Sequence, residues 1–322
     1  MARSSTKRFI YSREDRTILK TRLLYTDSNG AFKEQIWEKP DITSDEIEVK
    51  AVMTGVCRSD IAMMRGEFGP LPLEMQGHEG LGQVTKVGSG VTGVKVGDYI
   101  ATRGEPAYAD NYNVKTNEWV RVPEASPKFI IEPVACGINL VEQDLRAVCD
   151  RSGPESRCLI IGSGFLGWIA YHTLLLTHVE FASIEVVGKS NQEMWQKYNG
   201  VLVDKPQYEQ YNVIIDITER NTVMEQNLLA PGALWIMACE KKPAVVTNFG
   251  SLLWKAVTII MPSPRAKTFH KCMQLAVSWI ERGDLEVDKF WTRGYNRNTE
   301  WQQAFEDGVN RPEGYSRGYI VW

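Results

Sequence analysis

Residues 158–179 read CLIIGSGFLGWIAYHTLLLTHV, and the reading of this stretch decides the fold. It carries no formal charge and is long enough to cross a bilayer as one helix. Its internal order points elsewhere. Gly162, Gly164 and Gly167 cluster near the start, and His172, Thr173, Thr177 and His178 follow. A short apolar run, a glycine cluster and then apolar residues at helical spacing predict a buried strand, a tight turn and a helix. In that setting the G-x-G-x-x-G spacing carries chemistry. The first glycine permits the turn, the second lets a pyrophosphate approach the backbone, and the third lets the helix pack on the strand. Phe165 and Leu166, opening the helix, bring free N–H groups and partial positive charge to the phosphates.

Outward from this turn the same rhythm continues. RCLIIG, SIEVV, YNVIIDI, ALWIMA and AVTIIM are short apolar runs separated by helix-like segments, the spacing of βαβ units around a parallel sheet. Residues 263–283 predict an amphipathic helix ended by Gly283. Upstream, residues 45–56 and 81–102 alternate apolar and polar positions broken by Gly and Asp, as in antiparallel strands. The tail returns to short strands and one helix. The expected class is α/β: a β-rich domain over residues 1–155, completed by 289–322, and a doubly wound parallel-sheet domain over 156–288.

The end of the second strand of the parallel domain selects the nucleotide. A carboxylate there binds the ribose 2′-hydroxyl of NAD and repels a 2′-phosphate. In SIEVVGKSNQ that place holds Gly188, followed by Lys189 and Ser190. A small residue, a cation and a hydroxyl suit a phosphate, so NADP(H) is expected over NAD(H).

Composition sets limits. With 43% hydrophobic and 24% charged residues the chain has material for a sizeable core, and its net charge of −3 gives no global attraction to nucleic acid or anionic membrane. The first 22 residues are locally basic, with Arg3, Lys7, Arg8, Arg13, Arg16, Lys20 and Arg22 against Glu14 and Asp15. They lack a secretory apolar core, and a solvated extension is expected. The six cysteines are scattered, with no C-x-x-C pair, which argues against a disulfide framework and for a reducing, cytoplasmic location.

Cys57, in TGVCRSDIAMM (54–64), is by itself a packed thiol, a nucleophile or a metal ligand. His78 and Glu79 are adjacent in QGHEGLG, and thiolate, imidazole and carboxylate are all zinc ligands; three such ligands with an open position make a catalytic site. The order of GVCRSD (55–60), GHEGLGQVTKVGSGVTGVKVGDYI (77–100), IIEPVACGIN (130–139) and IIGSGFLG (160–167) resembles the medium-chain, zinc-dependent alcohol and polyol dehydrogenases, from about residue 45 onward. The resemblance implies a GroES-like catalytic domain and a Rossmann nucleotide domain. It implies that Cys57 and His78 are catalytic zinc ligands and that Glu132 stands where the family places its third. Glu79 would be a ligand exchanging with the substrate oxygen, or a group just behind the ligands. Asp60 would accept a hydrogen bond from His78 and fix its tautomer. Ser59 would take the substrate proton, and Arg58 would reach the cofactor pyrophosphate.

The implied reaction is hydride transfer between NADP(H) and an alcohol or its carbonyl, in a homodimer or homotetramer. Three departures stand out. Ala62 falls in the region where the family commonly has a proton-relaying histidine. The stretch after GDYIATRG holds no cysteines for a structural zinc, so one zinc per chain is expected. Met63, Met64 and a Trp-rich C-terminus are not family features and point to an unusual substrate pocket. The alternatives are a zinc-independent quinone or enone reductase of the same superfamily, against which Cys57, His78 and Glu132 speak, and a non-catalytic nucleotide-binding protein.

Overall fold

A computed structural model describes residues 19–27, 30–69, 72, 75–239 and 249–322. Most of the basic N-terminal stretch lies outside the described residues. The chain opens with an antiparallel pair, β1 (Leu19–Thr26) and β2 (Phe32–Lys39). Next come β3 (Glu46–Gly55), α1 (Arg58–Met64), β4 (Gly80–Val87), β5 (Tyr99–Thr102), β6 (Asn111–Lys115) and β7 (Trp119–Arg121). Two helices, α2 (Glu132–Glu142) and α3 (Leu145–Cys149), lead to β8 (Gly153–Ile161) and α4 (Phe165–Leu176). Then follow β9 (Phe181–Val187), α5 (Gln192–Trp195), β10 (Tyr211–Asp216), α6 (Thr222–Glu225) and β11 (Leu229–Met237). The chain continues through α7 (Phe249–Trp254), β12 (Thr258–Ile260) and α8 (Phe269–Arg282), and closes with β13 (Trp291–Asn296), α9 (Trp301–Asn310) and β14 (Arg317–Val321).

Among the described residues two larger sheets form. One is mixed, with order β13-β14-β3-β4-β5-β7 and β6 paired to β3. Its last members come from the far end of the chain: Tyr319 of β14 lies opposite Gly55 of β3, two residues before Cys57. The other sheet is wholly parallel, with order β12-β11-β10-β8-β9. Its strands are buried on both faces, which is why they read as continuous apolar runs rather than alternating ones. Cys158 and Ile160 of β8 point into the core shared with α2, α4 and α8, while Leu159 and Ile161 point into the opposite layer with Val223 and Leu252. This is the doubly wound arrangement, and β8 lies at the point where the winding reverses, the place where open α/β sheets bind ligands.

One element departs from the sequence pattern. The helix expected from residue 263 begins at Phe269, because the Ser263 backbone is tied to α2 by Gln143 (2.9 Å) and Asn139 (3.1 Å). Gly283 ends it in the left-handed conformation, φ 75°. The apolar stretch 158–179 divides into β8, the glycine turn and α4, and among the described residues no helix is long and apolar enough to cross a membrane.

Candidate active site

Cys57 sits where β3 ends and α1 begins. Its backbone N–H donates to Asp60 Oδ2 at 2.8 Å, so the carboxylate that caps the helix also fixes the cysteine's backbone. His78 and Glu79 arrive on the turn before β4. Gly77 makes that turn with φ +76°, and a Cβ there would strike the Tyr108 ring. Cys57, His78 and Glu79 each bring one ligand atom, all within 4.8 Å of one another. Glu132, the first residue of α2, is buried outside that three-residue cluster, near enough for its charge to act on His78, and the Cys136 thiol donates to its Oε1 at 3.3 Å. Ser59 Oγ stands 3.4 Å from His78 Nε2.

Asp60 differs in detail from expectation. Its Oδ1 lies 3.8 Å from His78 Nδ1, an ion-pair distance rather than a hydrogen bond, and Oδ1 has no hydrogen-bond partner. Its other oxygen accepts from the buried Tyr108 hydroxyl at 2.7 Å. Burial raises the Asp60 pKa, and burial also raises those of Glu132 and Cys136. For His78 burial opposes the charged ring, yet Cys57, Glu132 and Asp60 outweigh it and push the pKa well up.

A residue with no sequence signal completes the site. Arg317, at the start of β14, forms an ion pair with the fully buried Glu79. Its guanidinium stands 4.7 Å from the ring centroid of Phe165 and 4.8 Å from that of Trp291. Burial disfavours the charge, but Glu79, Cys57 and Glu132 outweigh it and raise the Arg317 pKa. Arg317 also shares a small hollow beside Cys57 with Arg58 and Arg311. Burial and then the two neighbouring arginines lower the Arg311 pKa, a crowding of cations that suits an anion.

The donor set fits a divalent metal. In their ligating forms Cys57 and Glu79 bring two negative charges and His78 a neutral imidazole, a thiolate, nitrogen and carboxylate set of the kind that holds zinc.

The glycine turn meets this cluster through Arg317. Gly162 has φ +126°, and a Cβ at Gly167 would run into the Gly162 carbonyl, so helix and turn touch backbone to backbone. Space above Gly164 is open. The Phe165 side chain is not free for a ligand: it packs against Phe290 and Trp291 at 5.2 and 6.1 Å, leaving its backbone N–H at the helix start. Leu166 packs against the core. The turn after β9, Gly188-Lys189-Ser190, is stitched to the glycine turn by Ser163, whose hydroxyl donates to Ser190 O (2.6 Å) and accepts from Ser190 N–H (3.0 Å). Lys189 and Ser190 are exposed beside it. These close-set glycines fit a nucleotide's phosphates and ribose.

Residues 43–124 match the family model of the alcohol dehydrogenase GroES-like domain. D-arabinitol dehydrogenase 1 of Uromyces fabae is 23% identical over 84% of this chain and 89% of its own. Among solved structures, an Escherichia coli alcohol dehydrogenase complexed with NADH superposes with a TM-score of 0.77 at 15% identity, covering 94% of this chain and 99% of the other. A Sinorhizobium meliloti protein described as a zinc-binding dehydrogenase, bound to NADP, gives 0.74 at 16% identity over 94% and 100%. These two share the fold. With its GroES-like domain, its doubly wound sheet and its dehydrogenase relatives, the chain is similar to medium-chain alcohol and polyol dehydrogenases.

Proposed function

We propose that this protein transfers a hydride between NADP(H) and an alcohol, a polyol or the corresponding carbonyl, with one zinc per chain. The observation that carries the reading is the convergence at Arg317. It joins the metal-donor cluster, through Glu79, to the first residue of the helix that follows the glycine turn. Similarity to a D-arabinitol dehydrogenase favours a polyhydroxy substrate.

Cys57 and His78 would hold the zinc with a carboxylate as third ligand. Glu132 suits that role, since only the Cys136 thiol hydrogen-bonds it, whereas Glu79 is already neutralised by Arg317. When bound there, zinc supplies a Lewis acid that favours loss of the substrate's hydroxyl proton near neutral pH. Ser59, beside His78, accepts that proton. Ala62 offers no acceptor, so the proton leaves Ser59 through water. Asp60, held by Tyr108 and the Cys57 backbone, keeps a negative charge facing His78. The glycine turn, Phe165 N–H, Arg58 and Arg311 hold the pyrophosphate; Gly188, Lys189 and Ser190 hold the 2′-phosphate.

Elemental analysis of purified protein with a turnover screen over polyols, alcohols and carbonyls tests this reading. Expected are one zinc per chain, substrate-dependent turnover and a higher kcat/KM with NADPH than with NADH. Cys57→Ala is expected to lose both zinc and turnover. Full activity in zinc-stripped protein would overturn the mechanism.

A further inference from the structure

The turn after β8 and the turn after β9 meet at one residue. The Gly162 N–H donates to Val187 O at 2.8 Å, which brings the glycine turn against the end of β9. Ser163 follows and is buried. Its hydroxyl makes two bonds to a single residue, donating to Ser190 O at 2.6 Å and accepting from the Ser190 N–H at 3.0 Å. Its carbonyl accepts from the buried Trp195 indole N–H at 2.9 Å, at the end of α5. Gln192 closes the same turn by donating to Gly188 O at 3.0 Å, and Asn191 stands in it in the left-handed conformation, φ 49°.

Ser163 also limits what position 188 can hold. Gly188 does not have the left-handed backbone that demands glycine; lack of space demands it. A Cβ there would stand 2.4 Å from both the N and the Oγ of Ser163, well inside contact distance. The carboxylate that favours an NAD ribose therefore has no room at this place. The turn instead presents the exposed side chains of Lys189 and Ser190, and among the described residues no ion pair engages Lys189. A lysine on a loose turn must be ordered before it grips a phosphate, at a cost in conformational entropy. A hydroxyl that fixes the backbone beside it removes the turn's share of that cost before the ligand arrives.

We propose that Ser163 is a positioning residue for the adenosine 2′-phosphate of the cofactor. Its hydroxyl, committed to Ser190, does not touch the phosphate; it holds the 188–190 turn so that Lys189 and the Ser190 hydroxyl stand ready for that group. This role rests on the NADP(H) reading and adds to it the residue that makes the turn selective. Neither Ser163 nor the turn belongs to the Cys57, His78 and Glu79 cluster, so the effect falls on nucleotide binding rather than on the metal-assisted step.

Isothermal titration of the full chain with adenosine 2′,5′-bisphosphate and with 5′-AMP, which differ only in the 2′-phosphate, tests this without turnover. The parent is expected to bind the bisphosphate about tenfold or more tightly than 5′-AMP. Ser163→Ala is expected to weaken the bisphosphate by about tenfold and 5′-AMP by no more than about twofold. Lys189→Ala, at an exposed position, is expected to weaken the bisphosphate alone. Ser163→Ala added to it is expected to cost little more, because both changes act on the same phosphate. An equal loss for both ligands in Ser163→Ala would show a purely structural role, and full additivity with Lys189→Ala would show that Ser163 does not act through the turn. Either result overturns the role of Ser163 and leaves the NADP(H) reading standing. A parent that binds the two ligands equally overturns that reading, and the role of Ser163 with it.

Discussion

Glu79 has no exposed surface, and its carboxylate is neutralised by an arginine 238 residues further along the chain. Removing one partner of such a pair leaves an uncompensated buried charge, at a cost of about 3–5 kcal/mol. Arg317→Met is therefore expected to lower the stability of the metal-free protein by that amount in urea unfolding. Adding Glu79→Gln to the same chain is expected to restore part of it. A cost near zero for Arg317→Met alone would show that Glu79 is not ionised in the folded protein. At this scale the legible residues were those carrying local signals: Cys57 beside Ser59 and Asp60, the His78-Glu79 pair, and the glycine spacing. Arg317 stands in YSRGYIV, an unremarkable tail, and reaches the site only because β14 pairs with β3. Spacing along the chain does not encode that pairing. Nor does it show that the Phe165 side chain is consumed by Phe290 and Trp291.

Between elements, the antiparallel pair β1–β2 is moored to the mixed sheet by a buried ion pair. Lys39 of β2, wholly enclosed, lies 2.8 Å from Glu48 of β3 and donates to Asn113 at 2.6 Å. Burial alone would raise the Glu48 pKa, but Lys39, Thr85 and Lys86 outweigh it and hold it below the ordinary 4.5. A carboxylate with a depressed folded-state pKa contributes stability that is complete above its unfolded value and is lost as pH falls through the folded one. Glu48→Gln is thus expected to cost about 3 kcal/mol at neutral pH. The gap from the parent should narrow as the pH drops below 4.5, read as urea midpoints across a pH series. A gap that does not change with pH would refute this account of the pair. Element types were legible because burial on two faces or one writes itself into apolar runs or alternation. One boundary was not. The residue 263 segment has helical composition but is captured by hydrogen bonds with Asn139 of α2 and with Gln143 just beyond it. That outcome is set by partners distant in sequence.

Across the whole molecule, the parallel sheet ends at β12, which among the described residues pairs only with β11. Flanking this edge are large apolar side chains in solvent: Leu253 is 75% exposed, Trp254 89% and Met261 64%. An unpaired strand edge beside exposed apolar groups invites pairing with another chain. A second copy offers the same edge, and a two-fold axis through β12 would join both sheets while burying Trp254 and Met261 on each side. Sedimentation at micromolar concentration is expected to give a homodimer. Trp254→Glu combined with Met261→Lys places charge at the centre of the contact and is expected to yield monomers. These monomers should keep the metal content of the parent protein, because neither residue belongs to the Cys57 cluster. A parent protein that sediments as a monomer, or a double variant that remains dimeric, would rule out β12 as the joining edge.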